Sequence, residues 1–240
     1  MLGKIRGNIQ ELGCRDAFFY FLHRLFSLCG LRLARYALVA QPVPAKPRLG
    51  GRRGASMTVR EIGPDDPAMK AMPLSSEVIA YRRGQGAHCL GLFLEERMIG
   101  CLWLCLGPYD EDEVRCRFIP RPAEKAAWDF DVYLLPEHRG GLGFLRLWDA
   151  GNAFLRERGR SWSCSRISVF NRSSILAHHR MGAERLGTAT FLALGSCQLM
   201  ISSLRPRLNL SCHPDKGPRL VLQAPCRGSQ SGSSRNGKDG

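Results

Sequence analysis

The stretch LLPEHRGGLGFLRLWD, residues 134–149, constrains the fold more than any other part of this chain. It leaves an alternating segment, AWDFDVYLL (127–135), and passes Pro136 and three glycines, Gly140, Gly141 and Gly143, before an amphipathic run. Trp128, Phe130 and Val132 alternate with Asp129, Asp131 and Tyr133, which predicts a strand with the two aspartates on one face. Phe144, Leu147, Trp148 and Phe154/Leu155 share a stripe and predict a helix over 143–159, with Gly159 as its stop. The backbone N–H groups of such a loop, and the positive end of the helix it opens, suit an anion such as pyrophosphate. Glycine lets backbone approach that anion closely. Taken alone, the loop also reads as a tight turn between two elements, because short glycine motifs recur widely.

The flanking sequence extends this unit in both directions. MTVREI (57–62) reads as a strand and SSEVIAYRRG (75–84) as a helix. HCLGLFLEERMIGCLWLCLG (88–107) has two apolar runs around Glu95-Glu96-Arg97 and predicts a β-hairpin. DEVRCRFI (112–119) and WSCSRISVF (162–170) read as strands, SSILAHHRMG (173–182) as a helix closed by Gly182, and ATFLALGSCQLMIS (189–202) as one or two strands. The class is α/β in the α+β sense. A dinucleotide-binding fold would need more strand–helix alternation and an acid after the next strand.

Outside this region composition changes. The net charge of +14 lies at the ends: residues 1–60 carry 11 Lys/Arg against 2 acids and residues 204–240 carry 7 against 2, while 61–203 balances at 17 of each. Residues 1–40 read as a basic amphipathic helical extension, with Phe18, Phe21, Leu22, Leu25, Phe26 and Leu28 near helical spacing. His23, Arg24, Arg32 and Arg35 interrupt its apolar run, which excludes a spanning helix of that length. Such an extension can lie on an anionic membrane surface, or dock on the domain or a second subunit. Nucleic acid is the weakest of the readings, since no aromatic platform accompanies the charge. Residues 41–56 (QPVPAKPRLGGRRGAS) read as a linker, 57–203 as the compact domain and 204–240 as a disordered basic tail. Ten cysteines without a CxxC pair, several within apolar runs, point to buried thiols in a reducing, cytoplasmic setting and give no sign of a metal.

Two motifs together are more specific than either. His138-x-x-Gly141-x-Gly143 follows a strand and opens a helix; downstream, Asn171, Ser174 and His178 follow the next strand. This pairing resembles the GCN5-related N-acetyltransferase (GNAT) superfamily over residues 57–203. His138 stands where that family commonly has Arg or Gln, and taking Arg139 as the basic residue shortens the motif by one. His178 stands where the family commonly has a Tyr that protonates the departing thiolate.

The resemblance implies a mixed, mostly antiparallel sheet flanked by helices and splayed between the strands at 127–135 and 162–170. It implies an acyl-CoA co-substrate, acetyl-CoA by default and no metal. The pyrophosphate would lie on His138, Arg139, Gly140, Gly141, Leu142 and Gly143, the pantetheine along Tyr133, Leu134 and Leu135, and Asn171 and Ser174 near the thiol end. It implies direct transfer to an amine, with Asp129 or Asp131 as base and His178 as acid. A CoA-binding or membrane-associated scaffold without catalysis, and O-acyl transfer to a saccharide hydroxyl, are the other readings. The acidic run in GPYDEDEVRCR (107–117) reads as a solvated loop, with attraction of a cationic acceptor as the alternative. The sequence sets neither acceptor nor oligomeric state.

Overall fold

The computed structural model describes residues 30–50, 53–213 and 215–225. They build a nine-stranded sheet in the order β11-β10-β9-β1-β8-β7-β4-β3-β2 and a small sheet in the order β12-β6-β5. The strands are β1 (Leu31–Pro42), β2 (Met57–Ile62), β3 (Ala87–Leu94), β4 (Arg97–Cys105), β5 (Tyr109–Asp110), β6 (Arg117–Arg121), β7 (Ala126–Leu134), β8 (Trp162–Ser168), β9 (Glu184–Leu194), β10 (Cys197–Ser202), β11 (Leu208–Ser211) and β12 (Arg219–Gln223). Three α-helices lie among the described residues: α1 (Ser76–Gly84), α2 (Gly143–Glu157) and α3 (Arg172–Arg180). In the large sheet every neighbouring pair is antiparallel except β7–β8. The mixed, mostly antiparallel α/β architecture expected from the sequence is the one observed.

Period-two burial explains both faces of the sheet. Trp103, Trp128, Phe130 and Tyr36 point to one side, where α1 and the small sheet close over them with Tyr109 and Phe118. Leu92, Leu102, Leu104 and Ala127 point to the other, beneath Leu147, Trp148 and Leu155 of α2. Ala37, Val39, Ile167 and Val169 line that second side beneath α3, against Ile175. Burying large apolar side chains at about 25 cal/mol per Å² drives both layers together.

The structure departs from four of the expectations drawn from the sequence. Residues 31–40 belong to β1 and are not helical. Leu, Ala and Arg favour helix locally, but β1 lies between β8 and β9, pairing with β9 over Leu31–Ala40 and with β8 over Tyr36–Pro42, so ladder hydrogen bonds override propensity. The rest of the proposed helical extension, and with it the membrane-surface reading, falls on residues outside those described. Among the described residues no helix is long and apolar enough to cross a membrane.

The presumed linker is a strap. Asp149 of α2 is buried, and its two carboxylate oxygens accept the N–H groups of Arg48 and Leu49, each at 2.8 Å. Arg156 donates to the carbonyl of Pro44 and Arg48 to that of Met181. Val43 and Leu49 are buried beneath this chain segment. Its proline content suits an extended path whose N–H groups need few partners.

The presumed disordered tail contributes β11 and β12. In β12, Leu220 and Leu222 are buried against β6, with which the strand pairs in parallel. Residues 226–240 lie outside those described. Cys89, Cys101, Cys105, Cys116 and Cys164 are free and buried, as expected of small apolar side chains. Cys197 and Cys212, by contrast, are joined in a disulfide that the expectation of reduced thiols does not include.

Candidate active site

The site begins where β7 and β8 part. Their parallel ladder covers only Ala126↔Trp162, Ala127↔Ser163 and Trp128↔Cys164. β7 continues to Leu134 and β8 to Ser168 without further pairing between them, while β7 stays zipped to β4 and β8 to β1. The result is a split in the middle of the sheet. Parallel pairing is slightly less stable per residue than antiparallel pairing, and the chain leaves the two strands into different helices, α2 and α3.

A bulge alters β7 inside the split. Trp103 pairs with Phe130 and Cys101 with Tyr133, so Asp131 and Val132 together face the single residue Leu102. Asp131 takes a positive φ of 52° to make the extra step. Gly100 admits the distorted strand, because a Cβ there would stand 2.5 Å from the Tyr133 carbonyl oxygen. The bulge corrects the expectation that Asp129 and Asp131 share a face: it reverses the alternation, so they point to opposite sides of the sheet.

Asp129 is 2% exposed and lies on the α2 side, accepting a hydrogen bond from the Ser163 hydroxyl at 2.5 Å. Burial pushes its carboxyl up to about 7, which the Ser163 bond only partly offsets. A raised carboxyl favours the fold below its unfolded value near 3.8, and that stability is lost as pH rises through 7. Asp129→Asn keeps the acceptor for Ser163 and removes the ionisation. Denaturant titrations should show the variant more stable than wild type by on the order of 3–4 kcal/mol at pH 8. Near pH 4 the two should converge, and equal stability at pH 8 would show that Asp129 ionises without penalty.

On the other side, Asp131 opens onto a cavity of about 440 Å³ lined also by Leu74, Val78, Phe130 and the acidic run 111–113. Arg82, whose side chain is 7% exposed, bridges Asp131 at 2.5 Å and Asp112 at 2.9 Å over the rings of Trp103 and Phe130. Arg166 bridges Glu111 at 2.6 Å and Glu113 at 2.7 Å over the ring of Tyr36. Burial pushes the Glu111 carboxyl up and the Arg166 bond opposes it. Four carboxylates against two guanidiniums leave a formal charge of −2 on the lining. The acidic run is solvated only in part: Asp112 and Glu113 are exposed, whereas Glu111 is 6% exposed and folded inward. Arg82 and Arg166 are site residues that sequence reasoning did not single out, whereas Glu111 and Glu113 belong to the acidic run whose alternative reading was attraction of a cationic acceptor. The available signal was Arg166, a charge in the middle of an otherwise strand-like, buried segment.

The glycine loop stands at the far end of β7. Pro136–His138 makes one 3-10 turn, and Gly140 takes a φ of 81°. Arg139 turns back on the strand, donating to the Leu134 carbonyl at 3.0 Å and lying 5.6 Å from the centre of the Tyr133 ring. Arg139 therefore anchors the loop, and His138 is the half-buried basic residue beside it. The N-terminus of α2 has no side-chain cap and no acid in its first turn. Leu142 occupies the cap position, so backbone donors of this 15-residue helix remain for an anion.

The second motif serves mainly to build α3. The Asn171 carboxamide oxygen accepts the Ser174 N–H at 3.1 Å and the Ser173 hydroxyl at 2.9 Å, an N-cap. His178 is 4% exposed, edge-on to Trp148 and Phe144 of α2, with Nδ1 3.0 Å from the Gln41 carboxamide oxygen. Burial lowers it to about 4. At pH 7 it is a neutral ring, so the expectation of an acid that protonates a thiolate is not matched by its surroundings. Its neutral burial contributes stability above about 6.5 that is lost as pH falls toward 4, opposite in sign to Asp129. Among the described residues no group of three His, Cys, Asp or Glu could hold a metal ion.

No family model matches this sequence, and no curated protein matches it. Among solved structures it is similar to a conserved protein of unknown function from Staphylococcus epidermidis, at 11% identity and a TM-score of 0.48 over 72% of this chain and 66% of that one. It is similar to a tandem GNAT protein from the clavulanic acid biosynthesis pathway, at 15% and 0.44 over 64% and 50%. A GNAT-family protein of Novosphingobium aromaticivorans matches at 21% and 0.47 over 67% and 65%. The chain thus spans half to about two thirds of the length of these structures. The observed arrangement, a mixed, mostly antiparallel large sheet split along its one parallel pair with a glycine loop opening a helix at the end of the split, is the one that the sequence resemblance to the GNAT superfamily implies.

Proposed function

We propose that this protein is an acyltransferase that moves an acyl group, acetyl first, from acyl-CoA to an amine in a ternary complex. One observation carries the reading: the split between β7 and β8 lies between an uncapped helix N-terminus and a carboxylate-lined cavity. The residues at both ends fit the two substrates. Glycine backbone, His138 and the α2 N-terminus suit a pyrophosphate, and the unpaired edge of β7 from Tyr133 to Leu135 suits a pantetheine amide.

Acyl-CoA supplies an activated thioester carbonyl, so the protein needs only to orient it and manage one proton. Loop 138–143 and the end of β7 hold the donor. Asp131 and Asp112 attract the acceptor's ammonium into the cavity, each already paired with Arg82, which fixes where both carboxylates point. Asp131 takes one proton directly or through one water, leaving the amine lone pair free to attack; the C–S bond then breaks, and the CoA thiolate leaves with the second proton that the new amide nitrogen sheds. Backbone N–H groups at the bulge in β7 supply the donors for the developing oxyanion. Asp129, on the opposite face, tunes the floor of the split and does not touch the acceptor. His178, neutral, packs α3 on α2 and orients Gln41.

Isothermal titration of the full chain with CoA tests the first half. Micromolar binding that vanishes with dephosphorylated pantetheine supports the loop as cradle, and no binding at millimolar CoA refutes the reading. Consumption of acetyl-CoA thioester with an amine library tests the second half. Binding without consumption would favour a CoA-binding scaffold.

A further inference from the structure

We propose that the Cys197–Cys212 disulfide controls the acceptor side of this site: oxidised, it holds the acidic loop in place, and reduced, it lets the rear of that loop go. The inference rests on the acceptor reading of the cavity but is anchored in contacts that exist without it. The disulfide joins the first residue of β10 to the residue after β11, at the outer edge of the large sheet. Both cysteines are exposed, so a reductant reaches them.

The link to the cavity is Arg115. Its guanidinium donates to the carbonyls of Ser196 at 2.6 Å, Ser211 at 3.1 Å and His213 at 3.2 Å, the residues flanking the two cysteines. The buried Gln198 carboxamide accepts the Arg115 N–H at 3.0 Å and donates to its carbonyl at 2.8 Å. One residue therefore collects hydrogen bonds from both strands that the disulfide ties together. Next to it, the Cys116 carbonyl accepts the Glu111 N–H at 3.0 Å, which closes the loop whose acids line the cavity.

Besides the disulfide and the ladder, the Ser202 N–H closes the hairpin by donating to the Arg207 carbonyl at 2.9 Å. Its ladder covers four residue pairs, and Leu208 and Leu210 of β11 are 64% and 69% exposed. A short edge pair with this little burial opens readily, and the covalent link across 15 residues removes much of that freedom. When a low-molecular-weight disulfide oxidises the pair, the two thiols give up two protons and two electrons, one S–S bond forms, and the oxidant leaves as two thiols. With the bond broken, Ser196 and Ser211/His213 separate, and Arg115 keeps only one of its two anchors. The front of the loop stays fixed, because Gln85 holds the N–H and carbonyl of Asp110. Reduction thus loosens residues 111–116 without unfolding them.

The test compares amide hydrogen exchange in the full chain after treatment with oxidised glutathione and after dithiothreitol, alongside Cys197→Ser. Peptides over 110–117 should exchange at least about tenfold faster when reduced, and in Cys197→Ser under either condition. Peptides over 136–146 should not change, and calorimetric CoA affinity should be the same in both states. Arg115→Ala should make the oxidised protein exchange like the reduced one. Equal exchange over 110–117 in the two states would overturn the coupling, as would free thiols at Cys197 and Cys212 in the glutathione-treated protein. A failure of CoA to bind in either state sinks the acyltransferase reading instead and leaves the exchange result standing.

Discussion

Asp131→Asn should lower kcat by about 10²–10⁴-fold, the usual contribution of a positioned base, and leave CoA affinity unchanged. The substitution isolates chemistry from structure for two reasons. Asp131 sits at a φ of 52°, a left-handed conformation that Asn tolerates nearly as well as Asp but a residue such as Ala does not. Arg82 also keeps Asp112, so no buried guanidinium loses all its partners. The amide still accepts a hydrogen bond but cannot take a proton from an ammonium. A steady-state assay should therefore show the loss in kcat, with a smaller rise in acceptor KM from the lost charge. Activity within threefold of wild type would remove Asp131 from the reaction, and Asp112 would be the carboxylate to examine next.

Gly141→Asp should weaken CoA binding by about 30-fold, from roughly 2 kcal/mol of repulsion between a new carboxylate and a pyrophosphate at partly screened distance. Gly141→Ala separates charge from bulk. A Cβ at 141 meets only the His138 carbonyl oxygen, at 3.9 Å, and no positive φ is required there. Alanine should therefore bind CoA like wild type. The aspartate has a second, opposite signature. An acid beside the uncapped N-terminus of α2 interacts favourably with the helix dipole, so apparent Tm should hold or rise while affinity falls. A general destabilisation would move both downward. If calorimetry gives all three proteins the same affinity, the loop is a turn and not a cradle.

The two substitutions probe the two ends of one split, which differ in how far local sequence reveals them. The glycine loop is visible because three glycines fall between an alternating run and a 3.6-residue stripe, a pattern that suits a tight turn or an anion cradle alike. The hairpin at Ala87–Cys105 is visible from two apolar runs around a charged turn, the strand before the loop from period-two alternation and the helix after it from its 3.6-residue stripe. The Asn171-to-His178 spacing is also visible, yet its residues turn out to cap and pack α3. The same letters suit both roles, and only burial distinguishes them.

By itself, the sequence determined the mixed α/β class, the strand–glycine loop–helix unit and the candidate donor cradle, because those features follow from short-range periodicity and backbone permissiveness. The tertiary structure alone decided that residues 31–40 are a central strand, that 41–50 strap α2 through Asp149, and that β12 completes a second sheet. It also decided the acceptor side. One bulged residue reverses the alternation in β7 and sends Asp131 to the face opposite Asp129, while Asp112 of the acidic run meets Arg82 and Glu111 folds inward against Arg166. Those partners lie about 30 and 55 residues away in the chain. Charge pairing and strand register act through space, so a one-residue shift or a distant guanidinium changes a side chain's role without changing the sequence around it.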